Sequence, residues 1–296
     1  AEAREGDEVL TINGWKSVEA TSERDYEGEV FDIIPSMVNK KVGLTAEHEV
    51  LTWNKRTGFF WKKAKELKKG KRGKHSKGDY LVFPIPKNES INAIDVSEYF
   101  KGIEKGGRIY PIGKNQFGSM FPYKHGISKK LELTRELLYL MGVFVAEGNI
   151  NSNGIILSNT NKEFISKLEK YGEKSLGFKG NVWFQKRTKR KYKDCYQLQF
   201  PSVIIKELFA KLFGVGVRNK KIAPLIFGLP DEKKKAFLKG YFDGDGCVEK
   251  SSEGYDILSF ATSSKHLAND LWVLLASMKI VAFLGRNKQK DSFKIK

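Results

Sequence analysis

Two carboxylates in this chain of 296 residues occupy matching places. Glu147 ends the segment Leu140-Met141-Gly142-Val143-Phe144-Val145-Ala146-Glu147-Gly148. Asp245 ends Leu238-Lys239-Gly240-Tyr241-Phe242-Asp243-Gly244-Asp245-Gly246. Gly142 and Gly240 lie 98 positions apart, as do Glu147 and Asp245. Small residues recur four apart in each segment, at Gly142/Ala146 and Gly240/Gly244, and that spacing is one face of a helix. Two helices can approach very closely through such faces, which would bring both carboxylates to a shared floor. An acid at a helix C-terminus is opposed by the helix dipole, so the placement needs compensation. A divalent metal ion would provide it, and metal-activated water at paired acids is the chemistry of phosphodiester hydrolysis. Asp243 aligns with Val145 and reads as peripheral.

Charge names the phosphate. Lys and Arg number 53 against 35 Asp and Glu, a net charge of +18, which points to a polyanion with duplex DNA or RNA as first candidates. The charge is clustered. Lys62, Lys63, Lys65, Lys68, Lys69, Lys71, Arg72, Lys74 and Lys77 are opposed locally by Glu66 alone. A second cluster, Lys186, Arg187, Lys189, Arg190, Lys191 and Lys193, is read as the DNA-binding element. Cys195 and Cys247 have neither CxxC nor zinc-ligand spacing. The N-terminus has no apolar signal-peptide core and no run is long enough to span a bilayer. The expectation is an intracellular, cytoplasmic protein without a membrane partner. Sparse Gln with plentiful Lys and Glu weakly suggests a hot-environment source.

The elements that must position these groups fall into three stretches. Residues 1–86 read as all-β, with short alternating runs such as 9–12 and 29–34 separated by turns at Asn13-Gly14, Glu27-Gly28 and Gly78-Asp79. A short helix is expected over Trp61–Lys69. Residues 87–133, rich in Gly, Asn, Lys and aromatics, read as a linker or DNA-facing insertion with minor strands. From 134 the order of helices and strands recurs. The first unit is helix 134–147 with Thr134 as N-cap, strands near 154–158, helix 162–175, a strand pair over 181–200 and helix 202–213. The second is helix 231–245, strands over 247–262, helix 264–279 and strands 281–285 and 292–296. Its closing helix is absent, so the second repeat reads as incomplete. Each unit presents antiparallel strands whose outer face can lie in a major groove, with Trp183, Phe184, Gln185 and Tyr192 interleaved among the basic residues.

The duplicated acidic-glycine helix resembles the LAGLIDADG homing endonucleases in their single-chain form. The resemblance implies site-specific cleavage of double-stranded DNA by a monomer, with Mg²⁺ as cofactor and Glu147 and Asp245 as metal ligands and catalytic residues. Arg218-Asn219-Lys220-Lys221-Ile222-Ala223-Pro224 is similar to the Lys-x-Ile-Pro block between the acidic motifs of intein-encoded endonucleases, which makes Lys220 the first catalytic candidate and Lys221 the second. The block departs from the pattern at Ala223, with proline one place later. An equivalent lysine of the second unit would fall beyond Lys296.

A second resemblance covers the first 86 residues. Gly43-Leu44-Thr45-Ala46-Glu47-His48-Glu49-Val50 is similar to the Thr-x-x-His block of the self-splicing intein, or Hint, domain, in which Thr45 and His48 would polarise the first peptide bond. Inteins often open Cys-x-x-Gly-Asp, where this chain has Ala3-Arg4-Glu5-Gly6-Asp7. Ala3 occupies the nucleophile's place and has no heteroatom. No C-terminal His-Asn pair follows either, so the chain is expected not to splice alone, its partners being host exteins or a separate C-terminal fragment.

The expected architecture is therefore α+β: an all-β Hint-like part over 1–86, the stretch 87–133, and a pseudo-twofold αββαββα endonuclease over 134–296. A DNA-binding regulator that keeps this fold without catalysis is the alternative, and acids retained at both positions weigh against it. An intron endonuclease with RNA maturase function is a further one, against which the Hint-like blocks weigh.

Overall fold

The computed structural model describes all residues except 1–2, 12–13, 36–40, 71–77, 86–87, 115–119, 123–125, 187–192, 288 and 290. Among the described residues, seven strands precede residue 86. β1 (Glu8–Thr11) pairs with β2 (Gly14–Ser17) and β3 (Val30–Ile33) with β4 (Val42–Thr45). β5 (Glu49–Asn54) lies between β6 (Gly58–Lys63) and β7 (Tyr80–Leu81). The helix expected over Trp61–Lys69 is not formed. Aromatic residues favour a pleated strand, and Gly58–Lys63 pairs with β5 along its whole length before one 3-10 turn at Ala64–Glu66. Asn13, half of one expected turn, lies outside the described residues. This region buries little: among its described residues only Thr52 and Ala64 are buried, while Phe59, Trp61 and Tyr80 are more than half exposed.

The stretch 87–133 is more than a linker. It carries β8 (Ala93–Asp95), β9 (Ile103–Lys105), β10 (Arg108–Tyr110), β11 (Ile112–Lys114), β12 (Met120–Pro122), β13 (Ile127–Ser128) and β14 (Lys130–Glu132). Ile94, Val96, Ile109, Ile127, Leu131 and Leu133 are buried in the same apolar core as the helices that follow. Burial of apolar side chains, at about 1.5–3 kcal/mol each, holds the segment where its irregular sequence pattern gave no period to read. Polar contacts add register: Leu133 N–H donates to Asn92 O at 2.8 Å. The wholly buried Lys234 Nζ donates to Asn88 Oδ1 at 3.0 Å.

Two units of one topology follow. The first is α1 (Arg135–Glu147), β15 (Asn149–Ile150), β16 (Ile155–Asn159), α2 (Lys162–Leu176), β17 (Asn181–Gln185), β18 (Cys195–Phe200) and α3 (Val203–Phe213). A short α4 (Pro224–Gly228) leads to the second: α5 (Asp231–Asp245), β19 (Gly246–Lys250), β20 (Asp256–Thr262), α6 (Lys265–Ser277), β21 (Leu284–Asn287) and β22 (Ser292–Ile295). The antiparallel sheets run β15-β16-β18-β17 and β19-β20-β22-β21, the same order twice.

Side-chain oxygens start four of these helices. Thr134, Asn161, Ser202 and Ser264 each accept the N–H three residues on, satisfying a donor the helix cannot. α5 instead opens with Asp231 and Glu232, favoured by the dipole. Every residue of α1 from Leu137 to Val145 is buried, because α5, α2 and the first sheet surround it.

Candidate active site between two helix ends

The small-residue faces of α1 and α5 meet at backbone distance. A Cβ added at Gly142 would lie 2.0 Å from Phe237 O, and one at Gly240 would lie 2.0 Å from Tyr139 O. Gly244 faces the Ala146 methyl, with 2.6 Å for an added Cβ. Any larger side chain would part the helices. Their C-termini therefore finish side by side, and Glu147 and Asp245 line one cavity of about 430 Å³. Lys220, Asn149, Ala261 and Ser292 line it too.

Both carboxyls are raised here, although Glu147 is only half-buried and Asp245 is exposed. Burial, and then the charge of Asp245, push the Glu147 carboxyl up to about 7, with a hydrogen bond from the Asn159 side chain opposing. Burial pushes Asp245 up to about 6, opposed by the Lys220 charge. Two carboxyls raised above the usual range and facing one open cavity, Glu147 half-buried and Asp245 exposed, form a donor set that a hard divalent cation would stabilise in its ionised state. Glu147 and Asp245 fit such an ion, with further oxygens to come from a ligand.

Lys220 is brought to the site and Lys221 is not. The Lys220 ammonium is buried, donates to Phe144 O at 2.8 Å and Gly148 O at 2.9 Å, and sits 3.7 Å from the centre of the Phe144 ring. It thus satisfies carbonyls at the end of α1 and offsets the dipole there. Burial lowers it to about 8, with Asp245 holding it up. The loop around it is pinned in one register. Ser264 Oγ donates to Lys220 O at 2.6 Å, Lys221 N–H to Phe213 O at 3.0 Å and Ile222 N–H to Asp270 Oδ2 at 2.8 Å. Lys221 is left exposed.

Asn159, Ser264 and Asp270 were not singled out in the sequence. The available signal was weak: Asn159 and Ser264 stand just ahead of helices, where polar residues serve as caps, while Asp270 lies inside α6 with no local mark. Asp243, read as peripheral, bridges three helices. Tyr139 of α1 donates its hydroxyl to Asp243 at 2.5 Å, Lys239 pairs with the same carboxylate, and Lys167 of α2 lies 4.0 Å away.

The remaining candidates lie apart from this cavity. Thr45 ends β4, and exposed His48 donates its N–H to Thr45 O at 3.0 Å across the following turn. Ala3 is exposed ahead of β1. Lys186 and Lys193 are exposed just beyond β17 and just before β18, whereas Arg187, Lys189, Arg190 and Lys191 lie outside the described residues. The first basic cluster is less free than its sequence suggests. Lys62 pairs with Asp79 at 2.8 Å, and Lys63 and Lys65 both pair with Glu47, which the strand pairing brings across. No helix among the described residues is long and apolar enough to cross a membrane.

Comparison with known proteins adds the following. DNA-directed RNA polymerase subunit Rpo1C of Methanocaldococcus jannaschii is 26% identical over 215 residues, 72% of this chain and 23% of that protein. ATP-dependent DNA helicase Hel308 of Thermococcus kodakarensis is 27% identical over an alignment of 319 positions, gaps included, which covers 97% of this chain and 27% of that protein. The chain thus spans about a quarter of the length of each. A crystal structure of I-DmoI in complex with DNA and Mn overlaps 55% of this chain and 89% of its own, at 12% identity and a TM-score of 0.40. Residues 232–295, from the helix that carries Asp245 to the last strand, match the LAGLIDADG-like domain family.

Proposed function

We propose that this chain is a site-specific endonuclease of double-stranded DNA, working as a monomer with Mg²⁺ held between Glu147 and Asp245. The observation that carries this reading is the pair of close-packed helices ending in two acids over one cavity, with a buried ammonium beside them. A divalent ion bound there would supply a water nucleophile at neutral pH and charge stabilisation for the leaving oxygen. Within the protein, Glu147 and Asp245 would hold the cation, which would offset their charge against that of the phosphate. Asn159 orients the Glu147 carboxylate. Lys220 places a positive charge beside Asp245, where negative charge builds on phosphate. The outer faces of the two sheets, reached from the same cavity through Asn149 and Ala261, would lie along the duplex on either side of the cut.

The test is a pair of isosteric changes. Glu147→Gln and Asp245→Asn should abolish double-strand cleavage of a plasmid library with Mg²⁺ and leave duplex binding nearly intact. Cutting at the normal rate by either variant would sink the assignment. Binding without cleavage by the unaltered chain would favour the catalytically silent regulator instead.

We further propose that the module is embedded in host proteins as an intein, and that it resides in the cytoplasm. Two relatives of unrelated activity, a polymerase subunit and a helicase, match it over only 23% and 27% of their lengths, which is the pattern of an inserted segment. The Thr45–His48 turn supports the Hint-like part. With alanine at position 3 this chain lacks the acyl-shift nucleophile, so it should be inert in splicing. Ala3→Cys should introduce thiol-induced cleavage before residue 3, measured with and without an added C-terminal intein fragment. Failure of that variant with its fragment present would count against the Hint assignment.

A further inference from the structure

The two sheets share a topology but not a chemistry on their outer faces. Their inner faces pack the core through Ile155, Leu157, Leu198 and Phe200 in the first and Phe260, Leu284 and Ile295 in the second, all buried. Residues of the opposite parity look outward, except that in β20 Ser259 is buried and Leu258 is exposed. Hairpin register sets the equivalences. Asn149 pairs with Ile156 as Cys247 pairs with Ser259, and Ser158 pairs with Gln197 as Ala261 pairs with Lys294. Asn151 therefore corresponds to Glu249, Gln197 to Lys294 and Gln199 to Lys296.

In the first sheet these positions form a net of amides. Gln199 Nε2 donates to Asn151 Oδ1 at 3.3 Å and Gln197 Nε2 to Ser158 Oγ at 3.3 Å. Each glutamine has a second N–H and a carbonyl oxygen beyond that bond, the donor and acceptor pair that the major-groove edge of adenine takes. In the second sheet the same places hold an ion triad. Glu249 accepts from Lys294, and its other oxygen lies 3.3 Å from the Lys296 ammonium. Ser259 Oγ lies 3.4 Å from Glu249. An ammonium has only donors, so it suits the paired acceptors O6 and N7 of guanine, and one carboxylate shared by two lysines fixes where they point.

We propose, building on the endonuclease reading above, that the two half-sites differ in base class: the Gln197/Gln199 sheet reads adenine and the Lys294/Lys296 sheet reads guanine. Glu249 acts as the positioning residue for the two lysines.

The experiment selects bound duplexes from a randomised library with the full-length chain, then reads base preference at each position. A bipartite motif is expected, adenine-rich in one half and guanine-rich in the other. Gln197→Ala and Gln199→Ala should relax only the adenine half, by about 5- to 150-fold in discrimination per base pair read. Lys294→Ala and Lys296→Ala should relax only the guanine half. Gln199→Lys, a gain-of-preference variant that guards against misfolded losses, should move its position from adenine to guanine. Halves of equal composition, or a glutamine variant that relaxes both, would overturn the proposal while leaving the endonuclease reading intact. Absence of any duplex binding would instead remove the endonuclease reading, and this inference with it.

Discussion

Replacing Gly240 with alanine tests the close approach on which the whole site depends. In an ordinary helix interior this change would stabilise by about 1 kcal/mol, since glycine loses more backbone freedom on folding than alanine does. Here the new methyl would sit 2.0 Å from Tyr139 O and 2.8 Å from Tyr139 C, atoms of the facing helix backbone. Carbon and oxygen need roughly 3.3–3.6 Å, so α1 and α5 must part by about 1 Å or more. Overpacking of this kind costs roughly 1–3 kcal/mol, occasionally more, and a backbone carbonyl cannot rotate aside as a side chain can. The upper part of that range minus the propensity gain leaves a net loss of about 2 kcal/mol. For a domain of roughly 150–250 residues that lowers Tm by about 4–8 °C. Gly142→Ala meets Phe237 O at the same 2.0 Å and should behave alike. Gly244→Ala meets the Ala146 methyl at 2.6 Å and Glu147 Cγ at 3.5 Å but no backbone oxygen at such range, and should cost less. Because Gly142 and Gly240 share one interface, the double variant should lose less than the sum of the singles: once the helices have parted, the second methyl has room. Thermal melts of all four proteins check this. A Gly240→Ala protein as stable as the unaltered chain, or strict additivity in the double variant, would refute the packing argument.

Further outcomes follow from the site. Lys220→Met leaves Phe144 O and Gly148 O without their buried donor and should destabilise by about 2 kcal/mol, whereas exposed Lys221→Met should stay within about 0.5 kcal/mol; equal losses in denaturant titrations would undo the register described for this loop. The Glu147 carboxyl is raised from 4.5 to about 7, so the stability linked to its proton is fully present below pH 4.5 and lost as pH rises towards 7. In metal-free buffer Glu147→Gln should therefore gain on the unaltered chain above pH 7, on the order of 1–2 kcal/mol after allowing for solvent. Added Mg²⁺ should stabilise the unaltered chain and not the variant; identical pH profiles of Tm would contradict this. Affinity for duplex DNA should fall about 10³–10⁵-fold between 50 and 200 mM salt if 6–10 phosphates are contacted, and a flat dependence would leave the basic residues without that role.

Much of the candidate site's geometry was legible in the sequence because it is duplicated. A repeat spaced by 98 residues, with glycines four apart ahead of an acid, encodes helix, contact face and carboxylate together. Periodicity and capping residues marked most helices and strands after residue 134, where local signals agree with the tertiary arrangement, but the strand expected at 281–285 forms at Leu284–Asn287, and β15 and α4 were not foreseen. Other features had no local signature. The stretch 87–133 lacks a period, yet Ile94, Ile109 and Leu131 are buried, because their partners are helices far along the chain. The aromatic run at 59–61 became a strand once β5 was there to pair with it. Which of two adjacent lysines enters the cavity was settled by bonds from Ser264 and Asp270, on a helix more than forty residues away. The acids' resistance to ionisation is likewise tertiary. Type and spacing put Glu147 and Asp245 at two helix ends, but only the glycine-to-backbone contact brings those ends together over one cavity, where both carboxyls are raised.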